Sequence, residues 1–191
     1  MDTVESSQPS DNHRTRAYIG LGSNEGDRVG FVQQAMQLLK DVPRIAIVEC
    51  SSLYETEPVG EAYKNWFVNA VAAVDTDLDA EELLDVCKDI ETRLCELHAL
   101  GSDRKRPRSG GSRIIDLDIL FFGDRVVQSS YLTVPHPSLH RRAFALVPLL
   151  EIAPDLMHPG FGKTVMELHE ELPEPELVFL YGTRGIDKDL E

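Results

Sequence analysis

Two aspartates, Asp116 and Asp118, stand two residues apart in the otherwise apolar run "RIIDLDILFF" over residues 113–122. The run reads as a strand. Side chains alternate faces along a strand, so the two carboxylates share one face, roughly 6.6 Å apart at the usual rise. Ile115, Leu117 and Ile119 share the other. Burying two like charges is costly unless a cation meets them. Mg²⁺ is hard and takes carboxylate, phosphate and water oxygens, and two ions roughly 4 Å apart could be bridged by such a pair. The alternative is a strand with one wet face whose aspartates meet only water. The neighbourhood favours the metal. The preceding segment "GSDRKRPRSGGSR" (101–113) carries Arg104, Lys105, Arg106, Arg108 and Arg113 in a chain of net charge −14. His136, His140, Arg141 and Arg142 follow the strand. Guanidinium groups flanking a metal-binding carboxylate pair describe a polyphosphate site. Taken alone, the basic run reads instead as a solvated loop or a localisation-like stretch.

Several phosphate chemistries are excluded by spacing. There is no GxxxxGK[ST], so this is not a P-loop protein. "GLGSNEG" (20–26) has its last glycine one residue late for a dinucleotide fingerprint. Gly111-Ser112 lies too close to Asp116 for a nucleotidyltransferase of the Gly-Ser/two-acid type.

The elements that must position these groups alternate strand and helix. Strands are expected at 17–22, 45–50, 65–76 and 114–122, with short ones at "RVVQ" and 131–135. Helices are expected at 28–40, with Asp27 as N-cap and Phe31, Val32, Ala35 and Leu39 on one face, and near 79–98, 139–151 and 164–171. Asp79 with Glu82 forms a capping box for the second helix, whose stripe is Leu83, Cys87, Ile90, Leu94 and Leu97. The order β-α-β-β-α-β with short links predicts an α+β, ferredoxin-like antiparallel sheet with helices packed on its faces.

At 191 residues and 42% apolar content, one domain with a real core is expected. Residues 1–15 read as a disordered tail without a secretory h-region, 16–175 as the domain, and 176–191 as a C-terminal extension. No apolar stretch reaches membrane-spanning length. Three scattered cysteines, Cys50, Cys87 and Cys95, suggest a reducing cytoplasm, with Cys87 and Cys95 packed in the core. The acidic balance opposes nucleic-acid binding. Monomer is the expected state.

Six segments, in order, resemble one family. They are "YIGLGSNEGD" (18–27), "SSLYETEPVG" (51–60), "FVNAV" (67–71), "SRIIDLDILFFG" (112–123), "LTVPHPSLHRRAF" (132–144) and "PLLEIAPDLMHP" (148–159). Together they resemble the 6-hydroxymethyl-7,8-dihydropterin pyrophosphokinases of folate biosynthesis. The resemblance implies transfer of pyrophosphate from ATP to the pterin's hydroxymethyl group, with release of AMP and use of two Mg²⁺ ions. It implies that Asp116 and Asp118 hold the metal. It places Arg113, His136 and Arg142 on the triphosphate, Ile119 and Thr133 near adenine and ribose, and Glu91 in the ATP site. Phe67 and Phe144 match the aromatics that sandwich the pterin ring, and Asn69 matches the amide that pairs with its edge. Thr56 and Val59 match the backbone contributors of the loop around Pro58 and Gly60. Both phenylalanines, and His136, could otherwise be ordinary structural residues.

Two departures fall beside the acid strand. The family's Gly-Arg-x-Arg run after the helix glutamate is here Cys95-Glu96-Leu97-His98, followed by about seven extra residues. Its role is expected to have moved to Arg104 and Arg106, in a loop that closes on the substrates. A tryptophan common before the Asp-x-Asp segment is Gly110 here. A non-catalytic module of the same fold, or a member with decayed activity, is the competing hypothesis.

Overall fold

The computed structural model describes residues 14–59, 65–99 and 113–182. The expected loop arginines Arg104 and Arg106 lie outside the described residues, as do Gly60 and Gly110 and almost all of the N-terminal tail.

Strand β1 (Thr15–Ser23) leads through a turn to helix α1 (Arg28–Lys40). The Asp27 side chain accepts a hydrogen bond from the Gly30 N–H at 3.0 Å, which satisfies one orphan donor of the first turn. Strands β2 (Ile45–Cys50), β3 (Leu53–Thr56) and β4 (Phe67–Thr76) follow, then helix α2 (Ala80–Ala99) and strand β5 (Asp116–Phe122). Asp79 and Glu82 exchange side chain-to-backbone bonds of 2.9 and 2.8 Å, the expected capping box. A small β6 (Val127–Gln128)–β7 (Thr133–Val134) ribbon comes next, then a 3₁₀ turn (Leu139–Arg141) and helix α3 (Ala143–Ile152). A β8 (Met157–His158)–β9 (Lys163–Thr164) ribbon, helix α4 (Val165–Glu170) and strand β10 (Val178–Gly182) complete the described chain.

The sheet order is β10-β3-β4-β1-β5, antiparallel throughout, with β2 also on β4. β4 is long enough to take both partners along one edge: β2 pairs with its residues 72–76 and β3 with 67–69. β2 and β3 therefore act as one strand bent at Ser51 and Ser52. Ser51 bridges the bend, its N–H donating to Val71 O at 2.8 Å and its hydroxyl accepting from Val71 N–H at 2.9 Å. Counting β2 and β3 as one, the order is that of the expected ferredoxin-like sheet.

One face packs on α1 and α2 through Ile19, Leu21, Val68, Ala70, Ala72, Val74, Leu117 and Ile119, all buried. The other packs on α3 and α4 through Tyr18, Val71, Leu120, Phe121, Leu146 and Leu149. Ile119 pairs with Ile19 and Phe121 with Tyr18, so Leu120 is an extra residue. This bulge turns both Leu120 and Phe121 toward α3.

The fold corrects several expectations. β3, β8, β9 and β10 are not among the expected strands, and residues 178–182, expected in a C-terminal extension, form a strand of the main sheet. The helix expected over 139–151 is two pieces, split at Arg142, which is extended (φ −124°, ψ 95°). The α2 stripe is buried only through Leu94. Leu97 is 59% exposed, because the last turn meets α1 through His98, whose ring centroid lies 4.6 Å from that of Phe31, and not through Leu97. Cys95 is half-buried rather than core, whereas burial pushes the Cys87 thiol up to about 12.

Candidate active site

The strand pattern produces a cleft on the α3 side of the sheet. On β1, Gly20 and Gly22 occupy the positions facing it, so the floor there is bare backbone. A Cβ on Gly22 would lie 2.6 Å from Asn69 Oδ1. Gly20 and Gly22 of "GLGSNEG" thus lie within a strand and make space, while Gly26 (φ 60°) sits in the turn before α1. On β4, Phe67, Asn69 and Val71 face the cleft; on β5, Asp116 and Asp118 do. The cavity, about 350 Å³, is lined by these residues with Thr56, Glu57, Val59, Arg113, His136, Arg142 and Phe144. A volume of that size suits a small heteroaromatic molecule with part of a phosphate chain.

The slot end is built from β3, β4 and α3. The Asn69 Nδ2 donates to Thr56 Oγ1 at 2.6 Å, and Asn69 is buried. That bond fixes the amide plane along the slot. Phe67 and Phe144 are half-buried at its sides, and Phe144 also packs against the apolar cluster under α3. The Arg142 guanidinium carbon lies 5.4 Å from the Phe144 ring centroid, a cation–π contact joining the slot to the charged end.

The charged end is built from β5 and its flanks. Burial, then the neighbouring Asp118, holds the Asp116 carboxyl above the usual carboxylate range, while Arg113 opposes the rise. An Arg113 guanidinium N–H donates to Asp116 Oδ2. Two half-buried carboxylates, Asp116 bound by one guanidinium, leave a demand for cationic charge that hard oxygen ligands suit to Mg²⁺. Among the described residues no cluster of three or more His, Cys, Asp and Glu side chains is gathered to hold a metal. The aspartate pair would need phosphate or water oxygens to complete a shell.

His136 is set by the main chain. Its N–H donates to Leu120 O at 3.0 Å, and its Nδ1 accepts from the Ser138 N–H at 3.3 Å. Burial pushes the imidazole below its usual range, with Arg142 adding to the fall. A neutral ring whose Nδ1 accepts carries its proton on Nε2. Nε2 lies 3.5 Å from an Arg142 guanidinium nitrogen. Two donors then converge on one region, an arrangement suited to an anionic oxygen.

Glu91, Ile119 and Thr133 do not line the cavity. Ile119 is in the apolar core, so only its backbone is presented at the edge of β5. Glu91 accepts the Leu117 N–H at 2.7 Å, gripping the edge strand between the two aspartates, and its carboxylate is bound twice by Lys88 at 3.0 Å.

Three comparisons bear on this geometry. The sequence matches the 7,8-dihydro-6-hydroxymethylpterin-pyrophosphokinase family over residues 18–154. A 2-amino-4-hydroxy-6-hydroxymethyldihydropteridine pyrophosphokinase of Methylorubrum extorquens is 44% identical over 80% of this chain and 90% of its own length. That of Haemophilus influenzae is 35% identical over 86% and 97%. The chain belongs to the hydroxymethylpterin pyrophosphokinase family. It is therefore an ATP-dependent pyrophosphokinase of the folate-biosynthesis type. The folic acid synthesis protein of Pneumocystis carinii is 36% identical over 89% of this chain, which spans only 22% of that longer protein. The Plasmodium falciparum HPPK-DHPS crystal structure with pterin and p-hydroxybenzoate shares the fold, with a TM-score of 0.63 at 18% identity over 85% of this chain and 44% of that one.

For a pyrophosphokinase of this family, sequence reasoning passed over one positioning residue of the charged end. Asn24 is buried where β1 runs out. Its N–H donates to Arg113 O at 3.2 Å and its Oδ1 accepts the Arg113 N–H at 2.7 Å. The side chain stands in for its own carbonyl, which accepts instead from Asn65 Nδ2 at 3.4 Å. Asn24 so extends the β1–β5 ladder to the arginine. An Asn in "GSNEG" reads simply as a turn residue, and only the pairing of β1 with β5 reveals the other role.

Proposed function

We propose that the chain transfers the terminal pyrophosphoryl unit of ATP to the hydroxymethyl group of 6-hydroxymethyl-7,8-dihydropterin and releases AMP, using two Mg²⁺ ions. The observation that carries this reading is the joining, in one cavity, of a carboxylate pair with Arg113, His136 and Arg142 to a flat slot between Phe67 and Phe144 with Asn69 at its edge. Asp116 and Asp118 would hold the metal, which supplies charge neutralisation on the phosphate oxygens. Arg113, His136 and Arg142 grip the triphosphate, leaving the β-phosphorus facing the slot. Phe67 and Phe144 stack the pterin, and Asn69 with the backbone of Thr56 and Val59 pairs with its edge, aiming the hydroxymethyl oxygen. That oxygen bonds to the β-phosphorus, and its proton passes to solvent. The bond to the bridging oxygen of the α-phosphate breaks, and AMP leaves. Most of the acceleration comes from positioning and from donors aimed at developing charge. Glu91, Ile119 and Thr133 serve the adenosine end along the outer edge of β5. Arg104 and Arg106, outside the described residues, supply further cationic charge to the triphosphate.

We read the chain further as one pterin pyrophosphokinase domain that begins near residue 16 and takes in β10 through residue 182, a monomer acting on small molecules in the cytoplasm, without nucleic-acid or membrane partners. The net charge of −14 and a thiol held in the core support this. Among the described residues no helix is long and apolar enough to cross a membrane. The test is AMP formation from ATP. AMP should appear only when Mg²⁺ and 6-hydroxymethyl-7,8-dihydropterin are both present. ADP as the nucleotide product would overturn the reaction assigned. ATP binding without any turnover would favour a decayed member of the family.

A further inference from the structure

The segment before β10 lies outside the stretch matched to the family, which ends at residue 154. It touches one wall of the slot and the edge beside the other. Glu176 Oε2 accepts the Ala143 N–H at 2.7 Å. That N–H is an orphan donor of the first turn of α3, since Arg142, the residue at the N-cap, makes no side-chain capping bond. Ala143 lies between the N-cap Arg142 and Phe144, both of which line the cavity. One residue on, the Leu177 carbonyl accepts the Glu57 N–H at 2.9 Å, and the Leu177 N–H donates to Glu57 Oε2 at 3.3 Å. Val178 then pairs with Thr56. Thr56 pairs in turn with Phe67, the wall opposite Phe144, and with Glu57 and Val59 lines the edge between them. Residues 176–178 thus bind the Phe144 wall by a carboxylate and the edge beside Phe67 by backbone, and they do not enter the cavity. Pro173 and Pro175 fix the φ of the approach, so the carboxylate arrives on a restrained chain. A carboxylate at a helix N-terminus is also favoured by the helix dipole.

We propose that Glu176 and Leu177 form a clamp that sets the width of the pterin slot, with Glu176 a positioning residue acting through Phe144. This rests on the slot reading given above. Without the carboxylate, the first turn of α3 loses its cap, and Phe144 is no longer held at a fixed separation from Thr56.

The experiment is titration with 6-hydroxymethyl-7,8-dihydropterin in the presence of Mg²⁺ and α,β-methylene-ATP, whose α–β link cannot be cleaved. Glu176→Ala should weaken pterin binding about tenfold, the scale of a lost helix cap. ATP-analogue affinity should change less than threefold. Glu176→Gln keeps an acceptor oxygen and should recover most of the loss, which a change in charge alone would not explain. In a Phe144→Ala background, Glu176→Ala should add little, because the ring it positions is gone. Unchanged pterin affinity in Glu176→Ala, or full additivity with Phe144→Ala, overturns the clamp. Unchanged pterin affinity in Phe144→Ala itself overturns the slot reading instead. Should Glu176→Ala fail to fold, Glu176→Thr is measured in its place. Its hydroxyl cannot reach the Ala143 N–H, and the same tenfold loss is required.

Discussion

The two faces of one sheet have opposite characters, and the same strands make both. On the α1–α2 side, alternate residues of β1, β4 and β5 are Ile19 and Leu21, Val68 and Ala70, Leu117 and Ile119, all buried. On the α3 side the intervening residues are Gly20 and Gly22, Phe67 and Asn69, Asp116 and Asp118. The dry face holds the fold together, each large side chain contributing roughly 1.5–3 kcal/mol by burial. The other face gives up that contribution at its open end to make a floor, a polar edge and a charged pair. A strand period of two lets one segment serve stability and chemistry with little interference. Mutations one residue apart should therefore fail in different ways.

The largest expected effect is at the acids. Asp116→Ala or Asp118→Ala should lower turnover by about three orders of magnitude or more, since each removes a proposed metal ligand from a transition state stabilised by charge. Folding should be intact, because neither carboxylate contributes apolar burial. Single-turnover AMP release together with a thermal melt checks both halves. Near-normal turnover by either variant would remove the metal assignment.

Next comes a neighbouring pair. Gly22→Ala places a Cβ 2.6 Å from Asn69 Oδ1, so the amide must move off the slot edge. Pterin affinity should fall about tenfold or more, with a stability cost of about 1–2 kcal/mol for local overpacking. Leu21→Ala, one residue earlier, should cost about 2–5 kcal/mol of stability by leaving a cavity in the dry core. Its folded fraction should bind pterin as the parent does. Equal damage to binding by both would mean that the faces are coupled and not separate.

A milder contrast lies within the cleft. Asn69→Ala should weaken pterin binding by about 1–3 kcal/mol, the cost of an unmatched polar edge, and leave ATP affinity nearly unchanged. Parallel losses for the two ligands, measured by calorimetric titration, would point to a packing role for the amide.

Much of this division was legible in the sequence, because it is written in local alternation. The acid pair, the two facing apolar runs and the caps at Asp27 and Asp79 depend on residues a few positions apart. What was missed depends on distant pairing. β3 is four residues long with no clean alternation, and it exists because β4 extends beyond β2. β10 is a short apolar run near the end of the sequence that becomes a strand only against β3. The resemblance puts Glu91 in the ATP site, but its grip on β5 shows only once β5 is an edge strand, whose Leu117 N–H needs an acceptor. The helix break at Arg142 has no proline or glycine to announce it. Arg104 and Arg106 lie outside the described residues, so their part in the site stands on the resemblance alone.

The smallest effect tests whether the α3 face is divided in turn, wet at the acid end and dry beyond Leu120. His158 is buried in that dry half, with ring centroids 5.6 Å from Phe121 and 4.6 Å from Phe161. Its Nδ1 accepts the Gly160 N–H at 3.1 Å, a bond that needs an unprotonated nitrogen. Burial pushes the imidazole below its usual range, and the neighbouring His140 adds in the same direction. A histidine with a depressed folded pKa stabilises the fold above its unfolded value. That contribution is lost as the pH falls from the unfolded pKa, ordinarily about 6.5, toward the lower folded one. Stability should therefore decline on the acid side of neutrality, before most carboxylates titrate. His158→Asn keeps an acceptor two residues before Gly160 and removes the titrating group. Its stability will be lower throughout from lost ring contacts, but its slope between pH 7 and about pH 5 should be shallower than the parent's. Urea melts across that range compare the slopes. Parallel curves would mean that water reaches His158 and that the dry half begins deeper in the fold.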